Sequence, residues 1–455
     1  MFSRIGKGAG ILVLAVMYFS DVLAVGNTDL GNGVVSVTQP PYNAPTIASN
    51  VACNSSTPTS QDATTAIQAA LNDVGAAPGG IVFLPTGIYC IKSHISIPTH
   101  TALKGIYVAP PTRKVGPSGG VFPVNQGTVL LAVENAGNPS GTPFITLAGS
   151  SSVVDGLTIY YPNQLLPASN ATGYSPVAYP YAIRGNEDAV IQNIFMVNPY
   201  YGIDLYTNPC SRHIVRGIYG TPLANGIQIN NCLDVGRISN IHFWPFWAYN
   251  DAVWEWTRQN GRALIVGRTD GQIIEDVFVF NYFTGFLFYD FGQGPPGVQM
   301  SNINLDAVSV GFDIYAASPG AGIKANNLNI AILVDEPTLP NIAIWRHQSA
   351  SSANLTVING AFNGNYKQAV RWDGDGLFSM TNGKMIRFTA GYPVISVIDG
   401  SAMIQNSAFT GGAAGNIAID VAPTAGKTLI TGNLLYGMSL QINNGALTMQ
   451  ANNMP

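Results

Sequence analysis

The sequence predicts an all-β solenoid of about 10–12 short coils with a short capping helix at its N-terminal end. Three observations predict it. First, a small residue followed by alternating apolar positions recurs along the chain: Ala182-Ile183-Arg184-Gly185, Gly202-Ile203-Asp204-Leu205, Gly226-Ile227-Gln228-Ile229, Ala263-Leu264-Ile265-Val266, Gly285-Phe286-Leu287-Phe288 and Gly311-Phe312-Asp313-Ile314. Weaker copies begin at Ala343, Ala369, Val394 and Ala418, and the starts lie 20 to 37 residues apart, a solenoid period. Second, most repeats carry an Asn at one place, as in Ile191-Gln192-Asn193-Ile194, Ile238-Ser239-Asn240-Ile241 and Met300-Ser301-Asn302-Ile303, with Asp276 in that place in Ile274-Glu275-Asp276-Val277. Asn stacked at one bend of each coil can hydrogen-bond to the coils above and below. Third, charged residues make up 10% of the chain, against roughly 25% in an average globular protein, while Gly numbers 50. Many turn residues and few charges suit closely stacked strands joined by tight bends.

The N-terminus reads as an export signal over residues 1–24. Arg4 and Lys7 precede an apolar stretch, Gly8 to Phe19, and Val22-Leu23-Ala24 offers a small-residue cleavage site. That stretch is shorter than the ~20 residues of a bilayer-spanning helix. Residues 25–60, rich in Pro, Thr, Asn and Ser, are expected to form an arm or irregular cover, and 61–455 the solenoid. Asp62 opens an amphipathic helix as its N-cap, with Ile67, Ala70, Leu71 and Val74 on one face. Such a helix covers an open sheet end. A leucine-rich repeat would need Leu at fixed places and a helical turn in every repeat; a propeller would need about 40–45 residues per repeat.

Four cysteines allow three pairings. Cys53–Cys90 with Cys210–Cys232 keeps both loops local, and export permits disulfides. Neither pair has zinc-type spacing, so no metal and no cofactor is expected. A net charge of −4 gives no basic footprint for nucleic acid, and no segment after the signal is long and apolar enough to span a membrane. The five histidines, His94, His100, His213, His242 and His347, are scattered, as structural or surface residues are.

The run from Asp62 to Ala70, followed by Gly79-Gly80-Ile81-Val82-Phe83-Leu84-Pro85-Thr86-Gly87-Ile88-Tyr89, resembles the N-terminal signature of the pectate-lyase-like superfamily, in its rhamnogalacturonase and epimerase-like branch. The resemblance implies a right-handed parallel β-helix and a polysaccharide or oligosaccharide ligand. The polygalacturonase catalytic pattern does not carry over. Of its Asn-Thr-Asp, Asp-Asp, Gly-His-Gly and Arg-Ile-Lys elements, only Asn27-Thr28-Asp29 occurs, outside any coil, and Gly322-Ile323-Lys324 lacks the Arg.

One repeat step, from Gly226 to Ala263, is lengthened by an inserted loop at 244–260. It holds Trp244, Trp247, Trp254 and Trp256 with Asp251, Glu255 and Arg258. Flat aromatic rings suit the apolar faces of sugars, so the loop is expected to bind glycan; the other reading is packing onto the solenoid. Aligning repeats places Arg184, Asp204, Gln228, Ile265, Leu287 and Asp313 in one outward column, and Thr207, Asn231, Arg268, Asp290 and Ala316 in another. Coils about 4.8 Å apart then set Arg184 beside Asp204 and Arg268 beside Asp290. Tyr206 and Tyr289 adjoin these columns as further sugar contacts. The expected reaction is glycoside hydrolysis, with two carboxyls about 5–10 Å apart. Glu255 is the expected acid and Asp290 or Asp204 the base, with Asp270 in reserve. The alternatives are a lyase acting by β-elimination on a uronate-containing glycan, using Arg268 or Tyr289, and a glycan-binding adhesin or tailspike-like solenoid without catalysis.

Overall fold

The computed structural model describes residues 33–48, 53–110, 125–333, 336–349, 351–386, 388–412 and 415–454. The export signal and Asn27-Thr28-Asp29 lie outside them. No helix among the described residues is long and apolar enough to cross a membrane.

The described chain winds through two parallel sheets, one of 19 strands (sheet A) and one of 13 (sheet B). Every start singled out in the sequence stands second in a sheet B strand or, for Val394, immediately precedes one, from Tyr181–Arg184 to Ile417–Val421. Sheet B has slightly more strands than the expected coil count because Ile95–Ile97 and Ile145–Leu147 add coils ahead of the recognisable repeats and Ser439–Ile442 adds one after them. From sheet B the chain turns into a sheet A strand and returns through a second, more variable turn.

The recurrent Asn marks a corner within the sheet A strands. Asn193, Asn240, Asp276, Asn302, Asn327 and Asn359 all take φ between 52° and 55°, the left-handed region. Gly156 and Gly217 supply the same bend. The expected ladder forms: the Asn302 amide donates to Asp276 at 2.9 Å, Asn327 to Asn302 at 3.1 Å and Asn382 to Asn359 at 3.3 Å. Asp276 thus has a structural partner.

Helix α1, Thr64–Ala76, buries Ile67, Ala70, Leu71 and Val74 over the N-terminal end. The Asp62 carboxylate accepts from the Thr64 N–H at 3.0 Å and the Lys92 N–H at 3.2 Å. The segment expected to be an arm contributes a strand: Val34–Ser36 pairs with Ile81–Phe83 in sheet A. Both expected disulfides are present, Cys53–Cys90 and Cys210–Cys232.

The main core fills the solenoid with Ile, Val, Leu and Phe from both sheets. His213 lies fully buried beside it, and its Nδ1 bonds the Cys210 carbonyl at 2.6 Å. Burial pushes the imidazole down to about 4, against the opposing effect of that hydrogen bond. The unfolded chain takes a proton on this group below about pH 6.5, whereas the folded chain stays neutral until about 4. Stability from this group is therefore complete above pH 6.5 and is lost as pH falls toward 4, a change on the order of 3 kcal/mol. Urea unfolding at pH 7 and pH 4 should show a smaller loss for His213→Gln than for the parent chain; equal losses would contradict the assignment.

Candidate functional site

The inserted loop packs more than it projects. Residues 251–260 form a second helix, α2 (Asp251–Asn260), capped by the Asn250 side chain, which accepts from the Val253 N–H at 3.2 Å. Trp247 is fully buried in a second apolar cluster with Phe195, Leu223, Phe246 and Val253. This corrects the expectation that Trp247 contacts sugar: no face of it reaches solvent. Trp244 and Trp256 pack half-buried against the same cluster. Trp254 is half-buried and lies edge-on to Tyr249 at 4.5 Å.

The carboxylates expected to cooperate are not brought together. Glu255 is exposed on α2, where it accepts from Gln259 at 3.2 Å. Helix α2 precedes the sheet B strand Arg262–Val266, whereas Asp204 lies near the far end of Tyr201–Leu205 and Asp290 follows Thr284–Phe288. Strands of this length keep their ends roughly 13 Å apart. Asp204 sits beside Arg184 as expected, at 2.6 Å, but it is 1% exposed and also accepts from the Tyr206 and Thr207 N–H groups and the Thr207 hydroxyl. Its lone pairs are committed to the fold. Arg268 pairs with Asp270 at 2.7 Å rather than with Asp290. Asp290 instead holds a turn, accepting from the Gly292 and Gly294 N–H groups at 2.8 and 3.0 Å.

What the fold does assemble is an aromatic run along the outer face of sheet B. Tyr206 contacts Phe291 at 5.2 Å, Phe291 contacts Tyr289 at 4.9 Å, and Tyr289 contacts Tyr315 at 5.6 Å. His347 stacks between Tyr315 and Trp345, with 4.0 Å between centroids on each side. The Arg371 guanidinium lies 5.8 Å from the Trp345 ring. Tyr206 and Tyr289 are 39% and 41% exposed, so the run is open to solvent. The sheet register builds it, since Leu287, Asp313, Trp345 and Arg371 stand opposite one another on successive strands.

Polar groups flank the middle of the run. His347 Nε2 lies 2.6 Å from Asp313 Oδ1, and the two side chains are 18% and 11% exposed. A carboxylate only accepts, so Nε2 carries the proton and the lone pair of neutral His347 sits on Nδ1. On the other side, Asp373 accepts from Trp345 Nε1 at 3.1 Å and from Arg371 Nε at 2.6 Å. Burial pushes the Tyr315 phenol up; the Asp313 carboxylate adds to that shift and the Arg262 guanidinium opposes it. Arg262 has no ion pair among the described residues. Beneath them Arg346, fully buried, donates to the carbonyls of Tyr315, Ser351 and Asp375 and locks the turns that carry Tyr315 and His347.

Sequence reasoning placed Tyr206 and Tyr289 on this face but passed over His347, Asp313 as a site residue, Tyr315, Trp345 and Arg371. A signal was present: Tyr206, Tyr289, Tyr315, His347 and Asp373 each lie four positions after a repeat start.

No protein-family model and no curated protein matches the chain. Among solved structures it is similar to bacteriophage phi29 gene product 12 in its pre-mature form, at 12% identity and TM-score 0.50, over 94% of this chain and 55% of that one. It is also similar to the Streptococcus pneumoniae surface adhesin PfbA, at 13% identity and TM-score 0.46 over 88% and 89% of the two chains. A third is an exopolygalacturonase from Thermotoga maritima, at 10% identity and TM-score 0.45 over 97% and 96%. At these identities the likeness concerns the fold alone, and the chain has a right-handed parallel β-helix fold.

Proposed function

We propose that the chain is an exported carbohydrate-active enzyme that cleaves a polysaccharide lying along the outer face of sheet B, by β-elimination on a uronate-containing chain. The observation that carries this reading is the His347–Asp313 pair, set at 2.6 Å within an exposed aromatic run. Sugar rings stack on the exposed rings of Tyr206 and Tyr289 through their apolar faces. His347 Nδ1 removes the proton beside the uronate carboxylate, and Asp313 holds the ring and stabilises the imidazolium. The Arg371 guanidinium, 5.8 Å from the Trp345 ring, neutralises the carboxylate as negative charge builds on it. The electron pair of the broken C–H bond forms a C=C bond, the neighbouring C–O bond breaks, and water protonates the departing oxygen. Two disulfides fit an extracellular setting.

Hydrolysis is the second reading. It is favoured by Asp313 and Asp373, which flank the His347–Trp345 stack from opposite sides. Incubation with acidic and neutral plant, algal and bacterial polysaccharides separates the readings. New reducing ends together with the ultraviolet absorbance of an unsaturated sugar end are the expected result. Reducing ends without that absorbance would mean hydrolysis. Binding without either product would remove the enzyme reading.

A further inference from the structure

Val266, Phe288, Ile314, Arg346, Trp372 and Val397 stand opposite one another on six successive strands of sheet B. All six are fully buried, and Arg346 is the one charged member of an otherwise apolar column. It has no ion pair among the described residues. A buried charge without a carboxylate partner is costly. Proteins break their own pattern at such a cost mainly at functional positions. The next residue along the chain is His347.

The guanidinium spends its donors on main-chain carbonyls. Nη1 donates to the carbonyls of Tyr315, at 2.9 Å, and His347, and Nη2 to those of Ser351 and Asp375, the last at 3.4 Å. These carbonyls lie just after three successive sheet B strands, Val310–Ile314, Ile342–Arg346 and Gln368–Trp372. The same three turns carry Tyr315, His347 and Asp373. Tyr206 and Tyr289, the exposed rings, come from earlier coils that Arg346 does not bond.

We propose that Arg346 is the positioning residue of the base: it fixes the His347 main chain between the turns on either side, so that the imidazole stays against Asp313. The role rests on the reading of His347 as the base. The planar five-donor fork of Arg spans carbonyls from three coils, whereas a Lys ammonium keeps the charge but presents three donors from one point. A misplacement of about 1 Å in a reacting group costs on the order of 10²-fold in rate.

The test compares the full chain with Arg346→Lys in two measurements. In steady-state cleavage of a uronate polysaccharide, kcat is expected to fall on the order of 10²-fold, with KM nearly unchanged because Tyr206 and Tyr289 stay in place. An unchanged kcat, or a rise in KM that accounts for the whole loss, would overturn the proposal. The second measurement needs no activity. With ¹⁵N-labelled histidine, the hydrogen-bonded Nε2–H of His347 and Nδ1–H of His213 give separate proton signals, assigned by their loss in His347→Gln and His213→Gln. Arg346→Lys is expected to lose the His347 signal and keep that of His213, which reports the fold elsewhere in the solenoid. Retention of both signals would overturn the positioning role, and loss of both would replace it with a general packing role. A parent chain that cleaves nothing would remove the reading of His347 as base, while the spectra still decide whether Arg346 holds the His347–Asp313 contact.

Discussion

Replacing His347 with Gln lowers the rate of polysaccharide cleavage about 10²–10⁴-fold, the usual worth of a positioned general base. Gln keeps a side chain of similar reach in the gap between Tyr315 and Trp345, but it offers no basic nitrogen. KM should change little, because the exposed rings of Tyr206 and Tyr289 remain available for stacking. Asp313→Asn is the companion change. It preserves the shape of the contact yet lets the imidazole adopt the other tautomer, which takes the lone pair off Nδ1. Its rate should fall less than that of His347→Gln, because the base itself is still present. Glu255→Gln should keep full activity, since Glu255 lies exposed on α2 with Gln259 as its partner. Steady-state kinetics of the three variants on one substrate would decide the matter. Retained activity in His347→Gln, or its loss in Glu255→Gln, would move the chemistry to the other side of the coil.

The second large effect is on stability. Phe312→Ala should cost about 3–5 kcal/mol, the range for deleting a large buried ring. Phe312 is fully buried, with its ring 5.5 Å from Phe286 and 5.4 Å from Phe288, so three aromatic side chains fill two adjacent coils. Neighbouring strands are hydrogen-bonded on both sides and cannot close over the cavity. Leu165→Ala, at a position 74% exposed, should change stability by no more than about 0.5 kcal/mol. Urea unfolding of the three chains measures both. A cost for Phe312→Ala as small as that for Leu165→Ala would mean that the coils repack freely.

The fold was legible because its signals are local and repeated. Gly202, Gly226, Gly285 and Gly311 each stand second in a sheet B strand, and Asn193, Asn240 and Asn302 each turn a corner that needs positive φ. The Arg184–Asp204 contact followed from that register alone. The site was harder to read because its residues come from successive coils, and Tyr315 and His347 lie off the columns first aligned. His347 belongs to a repeat whose start, Ala343, is a weak copy, and its partner Asp313 comes from the coil before. The tryptophan-rich loop drew attention through composition, yet its one fully buried ring, Trp247, completes a second apolar cluster outside the main core. Aromatic residues satisfy packing and sugar binding alike, and only burial tells the two apart.

The central claim is that a uronate glycan binds on the outer face of sheet B with its reacting carbon at His347. A crystal structure of His347→Gln with a bound uronate oligosaccharide tests it most directly. The account predicts sugar rings over Tyr206 and Tyr289, a carboxylate at Arg371 and the adjacent C–H pointing at residue 347. Sugar bound instead against α2 and Trp254, or on the outer face of sheet A, would contradict it.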